Sequence, residues 1–152
     1  MTLDKARASS EAGDVMIGAM LDEIRVLSLQ MTLRFLMQGN GKPATYVDVA
    51  FACDACVGND IQNDKGLDFF ARRSIFLPDV YKHIGSEVTD VAVNGDGTLT
   101  IGLGSLAKIS IVPVIDDEFD GDWSWQIQSE ENSRLATLSC VYEEGRIFYV
   151  SA

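Results

Sequence analysis

The chain has 152 residues, 47% apolar and 23% charged, a length and balance that exclude wholesale disorder and suit one globular domain closing its core without disulfide or metal staples. Against 23 Asp and Glu stand 12 Lys and Arg, a formal net charge of −11, whose field repels phosphate backbones and anionic headgroups and argues against nucleic-acid or membrane-surface binding. No apolar run reaches the roughly 18 residues of a membrane helix. The start, Met1-Thr2-Leu3-Asp4-Lys5-Ala6-Arg7, is not followed by a signal-peptide core. An odd count of three cysteines fits a reducing compartment. A cytoplasmic protein is the expectation.

Residues 1–13 are small and polar and read as a flexible tail. Asp14 is placed to cap a short helix holding Val15, Met16, Ile17, Ala19, Met20 and Leu21. From Glu23 the apolar period changes to two, which predicts a strand through Ile24 and Val26 and a second over Thr32 to Met37. Gly39-Asn40-Gly41-Lys42-Pro43 is a turn by composition. A third strand follows over Ala44 to Ala52, with Tyr46, Asp48 and Ala50 on one face and Val47, Val49 and Phe51 on the other.

Residues 54–66 read as a polar surface loop. Short apolar pieces, strand or helical turn, then run from Leu67 to Leu77 and end at Pro78. One helical turn around Val80 to Ile84 leads into the densest β pattern of the chain, residues 87–127. Glu87 to Val93 and Thr98 to Ile101 flank Asn94-Gly95-Asp96-Gly97, and an Asn-Gly or Asp-Gly pair between β-rich runs is a strong hairpin signal. Ile109 to Val112, Trp123 to Ile127, Leu135 to Tyr142 and Ile147 to Val150 complete the strands, the last two joined by Glu143-Glu144-Gly145-Arg146.

The two halves look alike. Glu23-Ile24 aligns with Glu87-Val88, Thr32 to Phe35 with Thr98 to Ile101, and Tyr46 to Val49 with Ile109 to Val112. An internal repeat over 15–52 and 80–115 is expected: a three-stranded meander, used twice, each behind a short helix. Two unrelated meanders would also share much of this alternation. The fold class is therefore mainly β, α+β with one or two short helices. It is antiparallel, with the two meanders packed as a sandwich or partly open barrel within one domain, residues 1–152.

Catalytic and metal signals are sparse. Cys53-Asp54-Ala55-Cys56 has the spacing of a redox or zinc pair, yet it lies in no βαβ context, and only Cys140 and the sole histidine, His83, remain as further zinc ligands. Residues three apart on a strand point to opposite faces, so structural thiols are expected, with no metal site and no cofactor. Gly102-Leu103-Gly104 lacks the third glycine of a phosphate-binding loop, and no Gly-x-Ser-x-Gly occurs. An EF-hand laid on Asp116 places Ile127 where a bidentate Glu belongs.

The run Asp116-Asp117-Glu118-Phe119-Asp120-Gly121-Asp122 is different: five acids in seven residues, directly before Trp123 and Trp125, the only tryptophans. Core tryptophans beside solvated acids are one reading. The other is a recognition edge, in which aromatic anchors supply desolvated contact area and carboxylates steer a partner rich in Lys and Arg. On that reading the partner-binding residues are Asp116, Asp117, Glu118, Phe119, Asp120, Asp122, Trp123 and Trp125.

Val88-x-x-Val91, Leu99-x-Ile101, Trp125-x-Ile127 and Glu144-Gly145-Arg146-Ile147 together resemble a group of small bacterial β proteins without an established reaction, over residues 80–150. The match departs at Gly102-Leu103-Gly104-Ser105, where that group carries an acidic residue and glycine. In size, acidity and lack of a catalytic set the chain is similar, as a class, to cytoplasmic immunity proteins that neutralise bacterial toxins. That resemblance implies a non-enzymatic protein occluding a basic partner such as a nuclease toxin, and a homodimer is compatible with it. The alternatives are a structural or oligomeric β module, and a small ligand-binding or carboxylate-using enzyme. Gene neighbourhood separates them, since an immunity gene lies directly downstream of a large secreted-toxin gene.

Overall fold

The computed structural model describes residues 2–39, 41, 43–58, 67–104, 107–113, 123–131, 134–141 and 147–151, with the backbone alone at 2, 130–131, 134–136 and 147–151. The chain opens with β1 (Thr2–Leu3) and α1 (Lys5–Met16), then β2 (Met20–Val26), β3 (Met31–Met37), β4 (Thr45–Phe51) and β5 (Asp54–Val57). After α2 (Phe69–Tyr81) come β6 (Val88–Val93), β7 (Leu99–Leu103), β8 (Ala107–Val112), β9 (Trp123–Glu131), β10 (Arg134–Val141) and β11 (Ile147–Ser151). The strands form two antiparallel sheets that do not close into a barrel: seven strands in the order β1-β11-β10-β9-β4-β3-β2, and four in the order β5-β8-β7-β6. Among the described residues the fold is mainly β with two helices.

The helices depart most from the sequence reading. The expected flexible tail, residues 1–13, instead forms β1 and most of α1, which Asp4 rather than Asp14 caps through a 2.8 Å bond from the Arg7 amide. Twelve residues are marginal for a helix on its own, and burial decides: Ala8, Ala12 and Met16 are fully withdrawn from water. Met20 and Leu21 belong to β2, because Gly18, at φ +94°, turns the chain out of the helix. The apolar pieces after Leu67 form one helix, capped by Asp68 through the Ala71 amide. Pro78 lies inside it and leaves the Ser74 carbonyl without its amide partner. Both residues are exposed, so water satisfies that carbonyl. Within the expected 54–66 loop, Asp54 to Val57 pair with β8, and 59–66 lie outside the described residues.

Each helix is followed by a meander, β2-β3-β4 or β6-β7-β8, and the fourth strand beside each meander comes from the other half of the chain. β9 pairs with β4, and β5, directly after β4, pairs with β8. The two four-stranded frames match row by row. Val26–Met31–Phe51–Trp125 in one corresponds to Val93–Leu99–Ile111–Ala55 in the other. In the next core row, Ile24–Leu33–Val49–Ile127 corresponds to Val91–Ile101–Ile109–Val57. A register shift between Leu21 and Glu23 is repeated between Val88 and Asp90.

The seam between the frames has the same symmetry. Met20 and Glu87 form an isolated bridge. Around it Gly18 N donates to Val88 O (2.9 Å) as Gly85 N does to Leu21 O (2.7 Å), and Val88 N donates to Ala19 O (2.7 Å) as Leu21 N does to Ser86 O (3.0 Å). Gly18 and Gly85 share a left-handed φ, +94° and +93°. The frames are thus related by an approximate two-fold axis through that bridge. In this correspondence Glu23 matches Asp90 rather than Glu87, and Phe51 matches Ile111, so the alignment read from sequence is displaced. Alternation repeats every two residues and does not set register by itself. The inward faces share one core, in which Leu33, Phe35, Val49, Leu99, Ile101, Ile109 and Ile111 are fully buried.

Candidate functional site

Asp116, Asp117, Glu118, Phe119, Asp120 and Asp122 lie outside the described residues. What is described is the stem on either side. β8 ends at Val112 in the four-stranded sheet, followed by buried Pro113, and β9 begins at Trp123 in the seven-stranded sheet. The acidic run therefore joins the strands at a change of sheet, the counterpart of the bend at Ala52 and Cys53 between β4 and β5.

The two tryptophans part company. Trp125 is fully buried, opposite Phe51 on β4 and Cys140 on β10, and its indole Nε1 donates to the Gly97 carbonyl at 2.8 Å. It is a core side chain that ties β9 to the β6–β7 turn. Trp123 is half-buried at the start of β9. A bulge places Trp123 opposite Val141 while Trp125 faces Cys140, so the extra residue, Ser124, is buried between them.

Cys53 and Cys140 are buried in the core, and Cys56 is half-buried. Burial, then the neighbouring Asp54 and Cys140, push the Cys53 thiol far above its ordinary range, so it stays protonated. The His83 imidazole forms no side-chain hydrogen bond or ion pair among the described residues, and no group of three or more His, Cys, Asp or Glu is gathered there. On the outward face of the large sheet, Arg34 grips Asp48 through two hydrogen bonds of 2.8 and 3.0 Å and lies over the Tyr46 ring at 4.7 Å. Glu23 completes that patch, its carboxyl held below the usual range chiefly by the hydrogen bond from Arg25.

A cavity of about 120 Å³, open on one side, lies between α2 and β5. Met31, Phe51, Phe69, Ile75 and Phe76 supply most of its apolar wall, with Ala55 beneath. Phe51 and Phe76 meet edge to face at 6.0 Å. Its polar members are already organised. Arg72 bonds Asp54 at 2.9 Å, and Arg73 is held by the Leu27 and Ser28 carbonyls at 2.7 and 3.2 Å while its guanidinium lies 4.6 Å from the Phe69 ring centre. Arg73 has no carboxylate within ion-pair distance among the described residues, and removal from water lowers its pKa.

Comparison with protein-family models, with curated proteins and with solved structures finds no match. Sequence reading missed the cavity because its walls come from β3, β4, β5 and α2. The signal that could have found it is the alanine at Cys53-Asp54-Ala55-Cys56 set against the tryptophan of Trp123-Ser124-Trp125, which becomes visible only once the frames are in register.

Proposed function

We propose that this protein acts by binding rather than catalysis, and that its partner is a basic protein. One observation carries the reading: a chain of net charge −11 concentrates five acids in residues 116–122, within the connection that joins β8 to β9 at a change of sheet. Buried Pro113 and fully buried Trp125 lie on the two sides of that connection. The most specific form of the reading is a cytoplasmic immunity protein whose acids take the place of phosphates in the basic cleft of a toxin such as a nuclease. Trp123, half-buried at the foot of the run, is the aromatic contact in this reading, and Trp125 supports it from the core.

The test begins with capture of partners at low ionic strength from cells that carry the gene, followed by kinetics with the purified partner. Association is expected to slow as salt shortens the Debye length to about 8 Å at physiological strength. Replacing Asp117, Glu118 and Asp120 together by Asn or Gln should reduce the association rate more than it raises dissociation. A partner whose affinity ignores both salt and the triple substitution removes the acidic run from the interface. A second reading, ligand binding, is favoured by one observation, the cavity under α2.

A further inference from the structure

The two frames match in register along their core rows, and the row through Phe51 and Ile111 differs at both ends: Val26 is exposed where Val93 is buried, and the far ends differ most in size. Where the first frame ends its row on Trp125, opposite Phe51, the second ends on Ala55, opposite Ile111. Trp125 fills its place completely, and α1 carries the small buried residues Ala8 and Ala12 on the core side. Ala55 offers only a methyl group, and α2 carries Phe69 and Phe76 to the cavity that is left. The lining is mixed, with Asp54, Arg72, Arg73 and Asp79 beside the phenylalanines, and the apolar part of it forfeits the contacts a filling side chain would make.

We propose that this cavity is a binding site for a small, neutral, planar aromatic molecule of the indole class, seated where the approximate two-fold axis would place the Trp125 ring. Three features favour that ligand over other apolar molecules. The wall is aromatic, with Phe51 and Phe76 already edge to face, a geometry that a further ring extends. Arg73 brings a half-buried guanidinium to the cavity, held by two neutral carbonyls rather than a carboxylate and already over the Phe69 ring, and a cation beside a further ring is attractive. A cavity of about 120 Å³ is a little smaller than the roughly 150 Å³ engineered cavity that takes up benzene, and its open side leaves room for the second ring of an indole. The net charge of −11 disfavours an anionic version of the ligand.

The experiment is titration of the full chain with indole, followed by nuclear magnetic resonance and calorimetry, with cyclohexanol as the non-aromatic control. Saturable binding of one indole per chain is expected, with a Kd of about 1 mM or tighter and at least tenfold preference over the control. Ala55→Trp, which copies the first frame's residue into the cavity, should weaken binding at least tenfold and leave the melting temperature equal to or above that of the parent. Because that variant is a large insertion, Ala55→Leu serves beside it and should weaken binding by a comparable factor while folding normally. Absence of saturable binding to the parent chain overturns the proposal, as does indole binding that either folded variant leaves unchanged.

Discussion

Ala55 and Trp125 stand at the same register position of two matching four-stranded frames, one leaving a cavity and the other filling its place with an indole bonded to the Gly97 carbonyl. The pair explains both the asymmetry of the core and the different work of the helices. α1 packs chiefly on β6, where Ser9 bonds the Val93 backbone, whereas α2 stands over β5 and brings phenylalanines to the cavity.

Trp125 is therefore a stability residue. Trp125→Ala is expected to cost about 3–5 kcal/mol in urea unfolding, the range for emptying a large aromatic site, and it also leaves the Gly97 carbonyl without its indole donor. Trp125→Phe keeps most of the ring, loses the hydrogen bond, and should cost closer to about 1–2 kcal/mol. Unchanged unfolding midpoints in both variants would return Trp125 to the surface.

Cys53 gives a pH dependence with a definite sign. In the folded chain burial holds its thiol protonated far above the ordinary range, while in the unfolded chain it ionises near pH 8.5. Its contribution to stability is complete below that value and is lost as pH rises toward the elevated folded pKa, at about 1.4 kcal/mol per pH unit. Cys53→Ala should therefore show a shallower loss of stability between about pH 8.5 and 10 than the parent, measured as the difference between two urea-midpoint profiles. Parallel profiles would contradict the assignment.

Gly102 faces Asp90 across the β6–β7 pair, and the Asp90 carboxylate lies where a Cβ on Gly102 would stand. The Gly102 backbone is not in the left-handed region, so the constraint is steric. Gly102→Ala alone should destabilise by about 1–2 kcal/mol through overpacking, and Asp90→Ala in the same chain should restore most of it. Since the Asp90 side chain also accepts from Thr89 Oγ1, the coupling belongs in a double-mutant cycle. Additive single effects would show that the carboxylate swings aside freely.

The strands were legible because alternation at a period of two reports which side of a pleat is dry. Val47, Val49 and Phe51 were expected on one face and are buried there, and the Asn94 to Gly97 turn joins β6 to β7, closed by the Asn94 amide on the Thr98 carbonyl. Helix α1 was not legible, since its buried face is made of Ala8, Ala12 and Met16, and alanines carry little hydropathy signal until something packs on them. α2 runs on through Pro78, a residue that ordinarily ends a helix, at a place where the freed Ser74 carbonyl lies on the exposed side.

By itself, then, the sequence determined the β class, the acidity, the turn chemistry and the inward residues of most strands, all properties written within a few neighbouring positions. Tertiary structure alone decided that β4 runs on into the other sheet, that β9 returns to pair with it, and that Glu23 corresponds to Asp90. It also decided that Trp125 belongs to the core and that Ala55 lies beneath a cavity. These depend on register between segments far apart in the chain, and a pattern that repeats every two residues is compatible with many registers until the core chooses one.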